Sequence, residues 1–140
     1  MRFKNITEYI PQRLPFVLVD RLLFCDEQKT QTEFLIQPDS LFVENNMFTE
    51  AGVLENIAQT SAARLGYLDR HNPVRIGMIG SVDKFEMFSF PKVGDEIKTT
   101  ILLKAEMDNV ILIAAEVVCE NTLIATCSMK VVLTNTISQS

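Results

Sequence analysis

Two periodicities divide the chain. From Pro15 to Cys25 (PFVLVDRLLFC) and from Lys29 to Gln37 (KTQTEFLIQ), apolar and β-branched residues gather in short runs with a polar DEQ turn between them, and both runs read as strands. Between Thr49 and Leu68 the spacing changes to three and four. Leu54, Ile57, Ala58, Ser61, Leu65 and Leu68 fall on one stripe, which predicts an amphipathic helix. Phe48, Thr49 and Val53 fit a hydrophobic staple around a capping threonine, so the helix should start there. A short helical turn is also expected near residues 4 to 9.

From Arg75 onward the pattern returns to strands: RIGMIGSVDKFEMF, DEIKTTILLKAEM, NVILIAAEVVCEN and TLIATCSMKVVLTN, separated by FPKVGD, DN and EN. Connections this short imply antiparallel neighbours, because parallel strands need crossovers of about a dozen residues or more. The pattern therefore predicts an α+β class, an antiparallel sheet wrapped around one long central helix, as a single domain over residues 1–140.

One flank of the expected helix carries chemistry. At about 100° per residue, Ala51, Glu55, Gln59, Ala62 and Gly66 align beside the apolar stripe, a ribbon of small residues interrupted by one acid and one amide. A carboxylate at that edge either reaches solvent or sits partly desolvated, as a proton donor requires.

Composition narrows the function classes. The net charge is −5 with no Lys/Arg run, which argues against a nucleic-acid partner. The start, MRFKNITEYIPQ, lacks the apolar core of a secretory signal, and no stretch has the length of a membrane span, so a cytoplasmic protein without membrane insertion is expected. Cys25, Cys119 and Cys127 are widely spaced in apolar runs and read as buried free thiols; neither a metal nor a cofactor is expected. The last strand pair and the small-residue flank are more apolar than a monomer usually exposes, which predicts at least a dimer.

Three segments resemble one family. IPQRLPFVLVDR is similar to the P-H-R-x-P-F-L-L-V-D-R opening of the β-hydroxyacyl-(acyl carrier protein) dehydratases. LENIAQ is similar to their V-E-A-M-A-Q, and IGSVDKFEMFSFPKVGDEI to their G-I-D-K-x-x-F followed by P-G-D. The likeness runs in order from about Ile10 to Leu133. It implies a hotdog fold, dimers joined sheet edge to sheet edge, and a site at the interface, where a His from one subunit and an acid from the other flank an acyl thioester on acyl carrier protein or coenzyme A. On this resemblance Glu55 is the acid, and Phe42, Gly52, Gln59 and Gly80 lie against the substrate.

The chain departs from the family where the base should be. Fourteen residues before Glu55, where the family has the His of G-H-F, stands Leu41 in SLF. Gln12 replaces the histidine of P-H-R, and Thr49 and Glu50 occupy the place of the helix-opening Pro-Gly, with Gly52 two residues on. The only histidine, His71, follows the helix and reads as a solvated loop residue. Glu44 and Glu50 are nearer carboxylates, and Glu50 is explained by the helix dipole. Arg64, Arg70, Arg75, Lys84 and Lys92 are scattered candidates for a rim facing an acidic carrier. Three functions are compatible with these residues: a divergent 3-hydroxyacyl dehydratase subunit of fatty-acid or polyketide-type biosynthesis, working as a homo-oligomer or in a heterodimer with a His-bearing paralogue; a hotdog thioesterase; and a non-catalytic acyl-binding protein.

Overall fold

A computed structural model describes residues 4–73 and 75–134, and in them the expected sheet forms around the expected helix. Strand β1 (Lys4–Asn5) leads through a 3-10 turn (Ile6–Glu8) and an irregular segment to β2 (Arg21–Cys25) and β3 (Lys29–Leu35). A small hairpin, β4 (Val43–Glu44) and β5 (Met47–Phe48), precedes helix α1 (Glu50–Leu68). Four long strands follow, β6 (Ile76–Met87), β7 (Glu96–Met107), β8 (Val110–Cys119) and β9 (Thr122–Thr134). Asn135, the last residue of the final expected strand, lies outside the described residues.

Among the described residues the main sheet has seven strands in the order β1-β2-β3-β7-β8-β9-β6, every neighbour antiparallel. Its inner face presents Ile97, Ile101, Ile111, Ile113, Val117 and Val131 to Val53, Ile57 and Leu65 of α1, all buried. The helix starts where the staple and cap place it. Thr49 is the N-cap, its hydroxyl accepts from the Gly52 N–H, and Phe48 and Val53 are both fully buried.

Two expectations change. Residues 15–20 do not form a strand, because their backbone groups pair with helix side chains instead. The Leu18 N–H donates to Gln59 Oε1 at 2.7 Å, Asn56 Nδ2 donates to the Leu18 carbonyl at 2.8 Å, and Gln59 Nε2 donates to the Phe16 carbonyl at 2.8 Å. The helix is also rolled about its axis relative to the apolar stripe. Asn56, Thr60 and Arg64 are buried, whereas Leu54, Ala58 and Leu68 are only partly so. Most of these buried polar atoms are paired: Thr99 donates to Asn56 Oδ1, Thr60 donates to the Asn56 carbonyl, Thr32 and Thr60 share a 2.7 Å bond, and Arg64 Nη2 donates to the Glu27 carbonyl, while Arg64 Nε is buried with no partner among the described residues.

Exposed apolar side chains lie on the last strand pair, at Leu112 of β8 and Leu123 of β9, and are denser on β6, a sheet edge on which Ile76, Met78, Ile79 and Val82 are exposed. Among the thiols, Cys25 and Cys127 are buried and free, while Cys119 is free and only partly buried. Burial pushes the Cys127 thiol up to about 11, which leaves it protonated and inert at neutral pH.

Ile57 is fully buried between helix and sheet. Ile57→Ala is expected to cost about 2–5 kcal/mol in a urea titration through lost burial and a residual cavity; a change under about 0.5 kcal/mol would mean that this face of the helix is not the interior one.

Candidate active site

A cavity of about 800 Å³ runs along the exposed flank of α1. Its floor is Glu55, Ala58, Ala62 and Gly66; one wall is the segment Tyr9–Gln12 and the other is the start of β6, Ile76 to Ile79. Glycines let both walls approach closely. A Cβ on Gly66 would fall 2.0 Å from the Tyr9 carbonyl oxygen, and one on Gly77 would fall 2.8 Å from Leu65 Cδ1. The small-residue ribbon read from the sequence is thus the groove floor at Glu55, Ala62 and Gly66, while Ala51 is exposed outside it.

Glu55 is half-buried, and Gln59, one turn on, donates from Nε2 to its Oε2 at 3.0 Å. The Gln59 side chain is itself fully engaged with Phe16, Leu18 and Glu55 and is 1% exposed. It therefore holds the carboxylate in place and ties the 16–18 backbone to the helix. Gln12 also lines the cavity, and its Oε1 is enclosed with no hydrogen-bond partner among the described residues.

The remaining sequence candidates fall in three places. Phe42 and Gly52 meet at the helix start: a Cβ on Gly52 would lie 2.9 Å from Phe42 Cβ and 2.7 Å from the Phe48 ring. Phe42 is exposed and adopts φ 69°, a left-handed conformation that a residue with a Cβ takes only where its surroundings impose it. Here the Thr49 N–H donates to the Phe42 carbonyl, and the β4–β5 hairpin turns on Asn45 and Asn46, both at positive φ, as a tight two-residue turn requires. Leu41 is partly buried against the main core and does not line the groove. Gly80 sits at a register shift in β6, on the free sheet edge and outside the groove. Within one protomer, then, the structure joins Glu55 to Gln59 and Phe42 to Gly52, with Leu41 next to Phe42, and leaves Leu41 and Gly80 outside the groove.

His71 is exposed in the turn after the helix, as its reading as a solvated loop residue expects, and it also lines the groove, at the end away from Glu55. Sixteen residues separate the two positions, roughly 24 Å at helical rise. Arg70 and Arg75 line that end as well. Arg70 stacks on Tyr67 at 3.9 Å, and Arg75 clasps Asp69, the C-cap of α1, through Nε at 3.0 Å and Nη2 at 3.2 Å. Among the described residues no group of three His, Cys, Asp or Glu side chains is placed to hold a metal ion, and no helix is long and apolar enough to cross a membrane.

The sequence profile of the ApeP-like family, described as ApeP dehydratase, matches residues 4–140. The chain belongs to this family. Its fold is the hotdog fold, shared with the dehydratase heterocomplex ApeI:P from Xenorhabdus doucetiae at a TM-score of 0.85 and 16% identity, over 96% of this chain and 93% of that one. A sigma28-regulated virulence protein from Campylobacter jejuni superposes at a TM-score of 0.72 and 11% identity, over 94% and 96% of the two chains. A hypothetical thioesterase with coenzyme A from Streptococcus pneumoniae does so at 0.69 and 9%, over 84% and 87%. At these identities the likenesses carry the fold alone. Among curated protein sequences none matches the chain.

The Asp69–Arg75 clasp closes the far end of the groove and makes a pH prediction. Burial alone would raise the Asp69 carboxyl, but the Arg75 guanidinium and backbone N–H outweigh it and hold the group below the usual carboxylate range. A depressed folded-state value means that the clasp's stability is present above the ordinary carboxylate pKa and is lost as pH falls through the lower, folded-state value. Unfolding measured between about pH 5 and pH 2 should therefore lose stability more steeply in the native chain than in Asp69→Asn; equal slopes would contradict the clasp.

Proposed function

We propose that this chain is the acid-bearing subunit of a dehydratase for 3-hydroxyacyl thioesters, carried on acyl carrier protein or coenzyme A in fatty-acid or polyketide-type biosynthesis. The observation that carries the reading is Glu55, a half-buried carboxylate opening on a groove of about 800 Å³ and oriented by Gln59. A groove of that size suits an extended acyl chain, and its middle is apolar.

Elimination of water needs two proton transfers. A base removes the Cα proton, and an acid protonates the departing 3-hydroxyl, which leaves as water. In this reading Glu55 is that acid, a role supported by its position on the groove floor. Leu41, where the family resemblance puts the base, is aliphatic and can take no proton. His71, at the other end of the groove, is too distant to serve the same reacting carbon.

The missing base is supplied from a second subunit. ApeI:P of Xenorhabdus doucetiae is a dehydratase heterocomplex, which supports an assembly of two different hotdog chains here. β6 offers the surface for it, a free strand edge with four exposed apolar side chains. In a homodimer joined there, Glu55 faces Leu41 of its twin; in a mixed dimer it faces the partner's histidine.

The purified chain alone should show little dehydration of 3-hydroxyacyl thioesters. Addition of a His-bearing paralogue should generate activity that Glu55→Gln lowers by about 10²- to 10⁴-fold. Leu41→His should restore part of that activity to the homodimer. Strong dehydration by the unmodified homodimer, or full activity of the Glu55→Gln mixed dimer, would remove the assignment.

A further inference from the structure

The far end of the groove carries basic groups that the acid does not explain. Arg70, His71 and Arg75 line it, the first two exposed and Arg75 partly so. Both guanidinium groups are held by contacts of their own. Arg70 donates from Nη1 to the Tyr67 carbonyl at 2.6 Å and stacks on the Tyr67 ring, which packs edge-on against Tyr9 at 5.4 Å. Arg75 is gripped through Nε and Nη2 by Asp69, a buried carboxylate that does not line the groove. Arg75 Nη1 takes no part in that clasp, and the groove is left facing fixed, planar donors of the kind that suit a phosphate. Glu8 is the opposing charge at this end, an exposed carboxylate on the same lining.

An acyl thioester can run along the groove from Glu55 in either direction, with its hydrocarbon tail or its carrier arm toward these cations. Charge and length both select the arm. A hydrocarbon end would take water from the guanidinium groups and return nothing, whereas a phosphate pairs with them. The Arg70 guanidinium lies over Tyr67 and the Arg75 clasp sits on Asp69, twelve and fourteen residues after Glu55. At helical rise these levels are about 18 and 21 Å from the acid. From phosphorus to C3 an acyl phosphopantetheine has about 16 bonds, which at about 1.2 Å of advance per bond in an extended chain reach about 19 Å. The two spans agree.

We propose that Arg70, His71 and Arg75 form a binding site for the phosphate of a phosphopantetheine arm, so that the acyl thioester lies arm-first in the groove with its C3 at Glu55. The inference rests on the acyl-thioester reading above and adds the group that anchors the carrier end. The same phosphate occurs on a carrier protein and in coenzyme A, and the site recognises what they share.

The test is equilibrium binding of three decanoyl thioesters to the purified chain: those of pantetheine, phosphopantetheine and coenzyme A. The phosphopantetheine ligand should bind about 10-fold more tightly than the pantetheine ligand, the value of one charge-assisted hydrogen bond. Arg70→Gln should remove most of that preference with no matching loss for the pantetheine ligand, and Glu8→Gln should enlarge it by taking away the opposing charge. Both replaced side chains are exposed, so neither variant disturbs the core. A coenzyme A ligand that binds no tighter than the phosphopantetheine one would support recognition of the arm alone, as on a carrier protein; a tighter one would support the free coenzyme as the source. Equal binding of the pantetheine and phosphopantetheine ligands by the native chain would overturn the phosphate site while leaving the thioester reading intact. So would a preference unchanged in both Arg70→Gln and Glu8→Gln. Failure of all three ligands to bind would overturn both readings together.

Discussion

The arrangement of the whole molecule depends on one buried side chain, Asn56. Its Nδ2 donates to Leu18 in the irregular segment, its Oδ1 accepts from Thr99 on β7, and its carbonyl accepts from Thr60 one turn on. Helix, sheet and connecting segment therefore meet at a single fully buried residue. A net hydrogen bond contributes about 0.5–1.5 kcal/mol, but a buried partner left alone costs about 1–3 kcal/mol, so the penalty for any other roll of the helix exceeds the gain from each bond. The roll in turn places the neighbouring residues. With Asn56 and Thr60 turned to the sheet, Glu55 falls on the flank that opens to the groove, and Gln59 sits between them with one face to the 16–18 backbone and one to the carboxylate.

The consequence of this roll is a carboxylate held in position on the groove floor, the acid of the proposed reaction. A polar amide orients Glu55, two glycines let the groove walls pack close to the helix, and small residues line the floor between them. Among the described residues Glu55 accepts a hydrogen bond from Gln59, an amide that cannot remove a Cα proton. β6 is both a sheet edge and one wall of the groove, so the proposed interface and the proposed site share one strand.

Local pattern carried the architecture well. The staple Phe48/Val53 and the cap Thr49 mark the helix start by contacts within a few residues, and the FPKVGD turn places Gly94 at φ +94°, where a glycine is favoured. What the pattern could not show depends on partners far along the chain. Leu18 pairs with Gln59 forty-one residues away and Asn56 with Thr99 forty-three residues away, so Pro15–Asp20 looks like a strand and the helix looks as if Leu54 and Leu68 face inward. A buried Asn, Thr or Arg is indistinguishable from a surface one until its partners are known. Glu55 was legible as a flank residue from its spacing on the helix. Gln12 and His71 were not legible as groove residues, because only the crossing of the N-terminal segment over Gly66 brings that wall against the helix.

The claim that a hydrogen-bonded Asn56 sets the roll of α1, and with it the position of Glu55, is tested most directly by a double-mutant cycle in urea. Stabilities of the native chain, Asn56→Ala, Thr99→Val and the double variant would be compared. The account predicts a coupling of about 1 kcal/mol or more, because removing one partner strands the other in the core. Changes that add within about 0.5 kcal/mol would contradict it.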